Sequence, residues 1–393
     1  MTSRKCQFGG AKVHVSDAFD LRMGKTPSRK NPAYWREGNH DWVSIADLGS
    51  FGKYVGRTKE KINDLAISES GIAPAPANSV LMSFKLSLGK TSITREPVYT
   101  NEAIMAFIDK GTYLVDTDYL YHQCKSKDWS NGINAAVMGN TLNKKSLGQA
   151  YIILPSINEQ KRIACLLDCI EGLIDKAIES ENKIDCLIKS RFVEMFGDPM
   201  LGGPAWEKKR LGDIASVITG NTPSRKHPEY YGDFIEWVKT DNINTVGGID
   251  EANERLSEEG MTKARVVNAG SILMACIAGS VESIGRVGLV DRRVAFNQQI
   301  NAIVPGNRVL SEYLLWVFKL SKDYLCRDIN MQLKGILNKT ALSAKCYAVP
   351  PLELQREFTT FVRQADKLRV LIQQQKEKLQ MLYDSLAQEY FAV

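Results

Sequence analysis

A chain of 393 residues is too long for one ordinary hydrophobic core, so two to three domains are expected. With 44% hydrophobic and 24% charged residues it is neither disordered nor fibrous, and no apolar run reaches the roughly 20 residues of a membrane-spanning helix. A net charge of +6 suits an anionic partner such as nucleic acid without requiring one.

Residues 1–15 lack the apolar stretch of a secretory signal, so a cytoplasmic chain with no membrane partner is expected. The eight cysteines fit that compartment, with no C-x-x-C among them. Cys165 and Cys169, four apart on a predicted helix, read as small apolar fillers, because zinc needs four convergent ligands.

Along the chain the segments come in pairs. Residues 24–35 read GKTPSRKNPAYW and residues 220–231 read GNTPSRKHPEYY, so Arg225 lies 196 residues after Arg29. Trp42-Val43 is matched by Trp237-Val238, Ser79-Val80-Leu81-Met82 by Ser271-Ile272-Leu273-Met274, and Asn101 before Ile104 by Asn297 before Ile300. Later, Gly139-Asn140-Thr141-Leu142-Asn143-Lys144 resembles Gly335-Ile336-Leu337-Asn338-Lys339-Thr340. Leu154-Pro155 with Glu159-Gln160-Lys161-Arg162 matches Val349-Pro350 with Leu354-Gln355-Arg356. A near-constant offset over so many points means one unit used twice.

Each unit opens with a mixed region whose β-rich runs, such as 41–45, 234–238 and 288–303, are broken by Gly, Asn and Pro. A long helix follows, announced by Pro155 in one copy and Pro350-Pro351 in the other. The first helix carries a 3-4 seam of Ile163, Leu166, Ile170, Leu173, Ala177, Ile184 and Leu187, interrupted at Ser180. The second carries Phe358, Phe361, Ala365, Leu368, Ile372, Leu379, Leu382 and Leu386, interrupted at Gln375. From Glu159 to Phe196 such a helix is about 57 Å long, and it needs a helical partner to cover its stripe. The other copy is the obvious one. The intervening unit must return to begin the second helix, which predicts an antiparallel pair with pseudo-two-fold symmetry. Ser180 and Gln375 would then fall near the axis, either fixing register or simply facing solvent.

This duplicated order resembles the specificity subunit family of type I restriction–modification systems, over essentially the whole chain. The most telling residues are Gly24-Lys25-Thr26-Pro27-Ser28 with Tyr34-Trp35, Gly220-Asn221-Thr222-Pro223-Ser224 with Tyr230-Tyr231, and the two helix starts at Leu154–Ile163 and Val349–Arg356. The fit is looser at residues 13–22 than at Leu211-Gly212-Asp213-Ile214. The resemblance implies an α/β (α+β) chain in which two target recognition domains are separated by an antiparallel two-helix coiled coil. The expected boundaries are 1–157 and 205–351 for the recognition domains, 158–197 and 352–393 for the spacer helices, and 198–204 for a linker. It further implies that each domain reads one half of a split site in double-stranded DNA. Two methyltransferase subunits, holding the S-adenosylmethionine, would dock on the helices, with two motor-nuclease subunits joining in the restriction enzyme. No cofactor and no catalysis are expected in this chain itself.

Base reading requires polar side chains on loops. The shared loop offers Thr26, Ser28, Arg29 and Lys30, and again Thr222, Ser224, Arg225 and Lys226, which suit phosphate contact or loop architecture. Residues that differ between copies are better readers: Lys239, Asn242 and Asn244 in the second, Ser44 and Ser50 in the first. Lys144, Lys145, Lys334 and Lys339 suit phosphates, and Asn297-Gln298-Gln299 is either a reader or a strand-edge turn.

Other motifs carry less. Asn31-Pro32-Ala33-Tyr34 is like the base-holding loop of adenine methyltransferases, but the second copy has His227-Pro228-Glu229-Tyr230 there, and no glycine-rich S-adenosylmethionine loop accompanies it. Gly24-Lys25-Thr26 and Gly89-Lys90-Thr91 lack the first glycine of a phosphate loop, holding Phe19 and Phe84 instead. None of His14, His40, His122 and His227 stands at metal or triad spacing in the sequence, so no metal site is expected. The rival readings are a self-sufficient DNA adenine methyltransferase with divergent motifs and a coiled-coil scaffold whose ends bind protein.

Overall fold

The computed structural model describes residues 10–85, 87–129, 142–198, 206–244, 246–278, 283–327 and 335–391. It divides into two units, Met1–Glu179 with Gln373–Val393 and Ser180–Ile372, and both boundaries fall inside long helices. Among the described residues no helix is long and apolar enough to cross a membrane.

In the first unit the strand Ala11–His14 pairs antiparallel with Tyr151–Leu154. The central antiparallel sheet runs in the order Phe19–Met23, Ile104–Asp109, Val80–Ser83, Thr91–Ile93. The second unit repeats this with Lys208–Arg210 against Cys346–Ala348 and a sheet of Ala215–Thr219, Ile300–Pro305, Ile272–Ala275, Val287–Leu289. The motifs Val80-Leu81-Met82 and Ile272-Leu273-Met274 are continuously apolar because both faces of their strands are covered. Val80 and Met82 join the helical core, whereas Leu81 joins a second core with Val43 and Leu48. In the repeat, Ile272 and Met274 face the helices while Leu273 and Ala275 pack with Val238 and Phe296.

A smaller sheet builds that second layer. His40–Val43 lies between antiparallel Glu60–Ile62 and parallel Tyr99–Thr100. Its counterpart Tyr231–Val238 lies between Arg255–Leu256 and Val294–Phe296, with Val266–Val267 added at the edge.

The long helices are Ile157–Phe196 and Leu352–Phe391. Gly197, at φ +81°, ends the first by donating its N–H to the Val193 carbonyl, a left-handed stop that favours glycine. Within the first unit Ile163, Leu167 and Ile170 pack with Tyr383, Ala387 and Tyr390 and with Tyr119 of the sheet-flanking helix Thr117–Ser126. Within the second unit Ile184, Ile188, Phe192 and Phe196 pack with Phe358, Val362 and Ala365 and with Tyr313 of the helix Ser311–Leu320. There Asp185 pairs with Arg369 and Arg191 with Glu357, so the two helical segments run antiparallel.

The expected seam needs a correction of phase. Ile163, Ile170, Ile184 and Phe358 are buried, and Phe361, Ile372, Leu379 and Leu386 are partly buried. Leu166, Leu173, Leu187, Leu368 and Leu382 are exposed instead, Leu173 by 48% and Leu368 by 50%. The buried stripe takes the residue after each of several expected positions: Leu167, Ile174 and Ile188, then Val362 and Tyr383. The reason is the third partner. A helix squeezed between a helical segment and a sheet-bearing domain buries a wider, shifted face than a coiled-coil seam. Gln375 is exposed and Ser180 half-buried, both off that stripe. Apart from Asp198, the expected linker lies outside the described residues.

Candidate nucleic-acid interface

The loop at residues 24–30 is held by close backbone contact. Gly24 donates to the Ile104 carbonyl (3.1 Å) and Lys25 to the Thr100 carbonyl (2.8 Å). A Cβ on Gly24 would sit 2.2 Å from the Thr100 carbonyl oxygen and 2.3 Å from that of Asn101, so only glycine fits. The repeat does the same: Gly220 donates to Ile300 and Asn221 to Phe296, and a Cβ on Gly220 would meet the Asn297 oxygen at 2.1 Å. In both units, therefore, the threonine-proline-serine loop rests on the turn that starts a central strand.

The loop arginines are held by intramolecular partners. Arg29 binds both oxygens of Glu60, one at 2.8 Å, and lies 3.8 Å from the Trp35 ring and 5.1 Å from the Trp42 ring. That hydrogen-bonded pairing holds the guanidinium above its ordinary pKa and the Glu60 carboxyl below its own. Arg225 pairs with Glu254 and lies 4.4 Å from Tyr231 and 5.5 Å from Trp237. Burial works against the ionisation of Glu254, yet Arg225 and Lys239 together hold its carboxyl low. Trp42 and Trp237 each donate an indole N–H back to the loop, to Lys25 and Asn221 carbonyls. Of the two readings of these arginines, the geometry favours loop architecture. The acids that complete the cages, Glu60 and Glu254, carried no individual signal in the sequence, whereas Trp35 stood within the repeated segment.

Several expected readers also make local hydrogen bonds. Ser44 accepts from Asp47 N–H and donates to its carboxylate, forming a helix-capping box. Ser50 donates to the Asp47 carbonyl. Lys239 pairs with Glu254, and its N–H donates to Asn242 Oδ1 (2.9 Å). Asn244 accepts from Gly247 and Gly248 and donates to Asp250, which closes a turn. Asn297 is 6% exposed, and its Oδ1 accepts from Gln299 N–H, as Asn101 Oδ1 accepts from Ala103. These polar residues are occupied by the turns they create, for which Asn, Asp and Ser are suited.

The exposed remainder is smaller. Lys30 and Lys226 project from the shared loops beside exposed Ser28 and Ser224. Lys144, Lys145 and Lys339 are exposed at the starts of short helices that Asn143 and Asn338 cap. Lys334 lies outside the described residues. Gln298 is exposed and accepts the Thr222 hydroxyl; in the first unit the matching Thr26 donates to exposed Glu102. Glu102 was not expected, although the pairing of Asn101 with Asn297 sets it opposite Gln298.

Sequence spacing missed the carboxylate partners of three histidines. His40 meets Asp64 at 2.7 Å, His227 meets Glu229 at 2.8 Å, and buried His122 meets Asp168 at 2.9 Å and the Tyr383 hydroxyl at 2.9 Å. His122, Asp168 and Glu171 bring potential ligand atoms within 4.8 Å of one another. Lys53 takes Asp168 at 2.6 Å, and Lys125 takes Glu171 at 2.6 Å. Those ammonium groups make the cluster a charge network tying the helix Thr117–Ser126 to both long helices within the first unit. Asn31 caps the turn Pro32–Tyr34 by accepting the Ala33 N–H.

The comparisons with known proteins agree with this duplication. The model of the type I restriction modification DNA specificity domain matches residues 11–186 and 204–381. The specificity subunit of the type I restriction enzyme MjaIX from Methanocaldococcus jannaschii is 24% identical over 397 residues, covering 95% of this chain and 90% of that one. Among solved structures, a chain from a study of type I R-M complex assembly and conformational transition shares the fold with a TM-score of 0.65 at 15% identity, covering 99% of each chain. The type I restriction-modification S subunit from M. genitalium gives 0.54 at 13%, covering 100% of this chain and 98% of that one. Two matched copies of the same domain, each with its caged arginine and long helix, mean that this chain belongs to the type I restriction modification DNA specificity domain family.

Proposed function

We propose that this chain is the non-catalytic DNA-specificity subunit of a type I restriction–modification complex. One observation carries the reading: two recognition units share a loop frame down to matched hydrogen bonds, yet present different exposed polar side chains on it. A common frame with different tips is what a split, asymmetric site in double-stranded DNA requires. Lys30, Lys226, Lys144, Lys145 and Lys339 supply phosphate contacts, and the recognition units span residues 1–157 and 205–351. Two methyltransferase subunits dock on the long helices and bring the S-adenosylmethionine, and motor-nuclease subunits complete the restriction enzyme. The complex works in the cytoplasm.

The test is co-expression with the methyltransferase subunit, followed by sequencing of methylated bases. A two-part site is expected, with no methyl transfer by the purified chain alone. Methylation without a partner, or without sequence preference, would overturn the reading. Replacing residues 13–153 with the first domain of another family member should change one half-site only. Adding whole heptads to both helices should lengthen the gap and leave the halves alone.

A further inference from the structure

Thr26 and Thr222 stand at the same place in the two loops, and each donates its hydroxyl proton across an equal separation of 76 residues. The acceptors are Glu102 and Gln298, both exposed on the turn that enters a central strand. The frame around this position is duplicated: Gly24 and Gly220 pressed on the turn, Asn101 and Asn297 folding it, the caged arginine behind. On that frame the tip differs, a carboxylate in one unit and a carboxamide in the other.

From this we infer that Glu102 and Gln298 are the matched base-discriminating position of the two units, an assignment that rests on the proposed function. The threonine bond fixes which atoms remain. In the second unit Thr222 occupies one lone pair of Gln298 Oε1, leaving the other lone pair and both Nε2 protons. That acceptor–donor pair matches the N6–N7 edge of adenine in the major groove. In the first unit Thr26 occupies one oxygen of Glu102 and leaves an acceptor without a donor. A carboxylate close to phosphates is repelled unless it meets an amino donor, and the N4 group of cytosine supplies one. Both positions therefore accept from an exocyclic amino group, and they differ in that only Gln298 can also donate, to a ring nitrogen.

The test uses the full chain assembled with its methyltransferase subunits and compares wild type with E102Q, Q298E and Q298A on a randomised DNA library, read by sequencing methylated bases. Q298E is expected to change preference at one base of one half-site, by about 10-fold or more, with the other half unaltered. E102Q should change one base of the opposite half. Should Q298E melt early, Q298A removes the polar tip without adding charge and should relax the same base. Unchanged preference at every base in Q298A and E102Q, with methylation continuing, would overturn the assignment. A wild-type complex that shows no two-part site would instead defeat the underlying functional reading.

Discussion

Gln160 and Gln355, 195 residues apart, make the same three hydrogen bonds in their respective units. Gln160 donates to the Leu114 and Pro155 carbonyls, both at 2.9 Å, and accepts the Asp116 N–H at 2.9 Å. Gln355 donates to the Arg308 (3.0 Å) and Pro350 (2.8 Å) carbonyls and accepts the Leu310 N–H at 2.8 Å. Both are essentially inaccessible to water. Each locks the first turn of a long helix to the loop that opens the sheet-flanking helix. Gln355→Ala would take away the partner of the buried Pro350 carbonyl, of the Arg308 carbonyl and of the Leu310 N–H. A loss of about 3 kcal/mol is expected by denaturant unfolding. A loss under about 0.5 kcal/mol would mean that water replaces the side chain.

The helix phase gives a second prediction. Phe192 is buried among Phe196, Tyr313 and Phe358, with ring centroids 5.1 to 5.8 Å away, so Phe192→Ala should cost about 3–5 kcal/mol. Leu173→Ala, at a 48% exposed position, should cost less than about 1 kcal/mol. Equal losses would restore the leucine seam. The error is instructive. Periodicity in the sequence located the helices and half of the stripe, since Ile163, Ile170 and Ile184 are buried in either phase. It could not say which neighbouring position completes the stripe, because that depends on a domain packing from the side. Phe192 and Tyr383 outweigh several leucines in burial.

Acid sensitivity in the second unit should trace to Glu236. Its side chain is 9% exposed and is gripped by Arg292, with both contacts at 2.8 Å, and by the Ala252 N–H at 2.9 Å. The Arg292 hydrogen bonds hold the Glu236 carboxyl below its ordinary range despite burial. A folded-state value lying below the unfolded one means the contribution is complete above the unfolded pKa, near 4.3, and is lost as pH falls through the lower folded value. The melting temperature should therefore drop from about pH 4 downward. Glu236→Gln should lower it at pH 7 and flatten this part of the acid limb. An unaltered acid limb would exclude Glu236 as a source.

The recognition loop shows what a motif discloses and what it leaves open. Its duplication was plain from residues 24–35 and 220–231, and so was the glycine that begins it. The partners of its side chains were not, because Glu60, Glu102, Glu254 and Gln298 stand 29 or more positions along the chain from the loop residues they bind. The last prediction separates lysines from arginines on that basis. Lys30 and Lys226 are exposed at the loop tips, whereas Arg29 is paired with Glu60, Arg225 shares Glu254 with Lys239, and both arginines lie on aromatic rings. In DNA binding followed against salt concentration, Lys30→Ala and Lys226→Ala should each reduce the log–log slope by about 0.9. Arg29→Ala should leave that slope nearly unchanged while lowering the melting temperature, since its positive charge already has a counter-ion within the protein. A slope reduced equally by the arginine variant would show that the Glu60 pair opens to meet a phosphate, and the loop would then grip DNA through its cage.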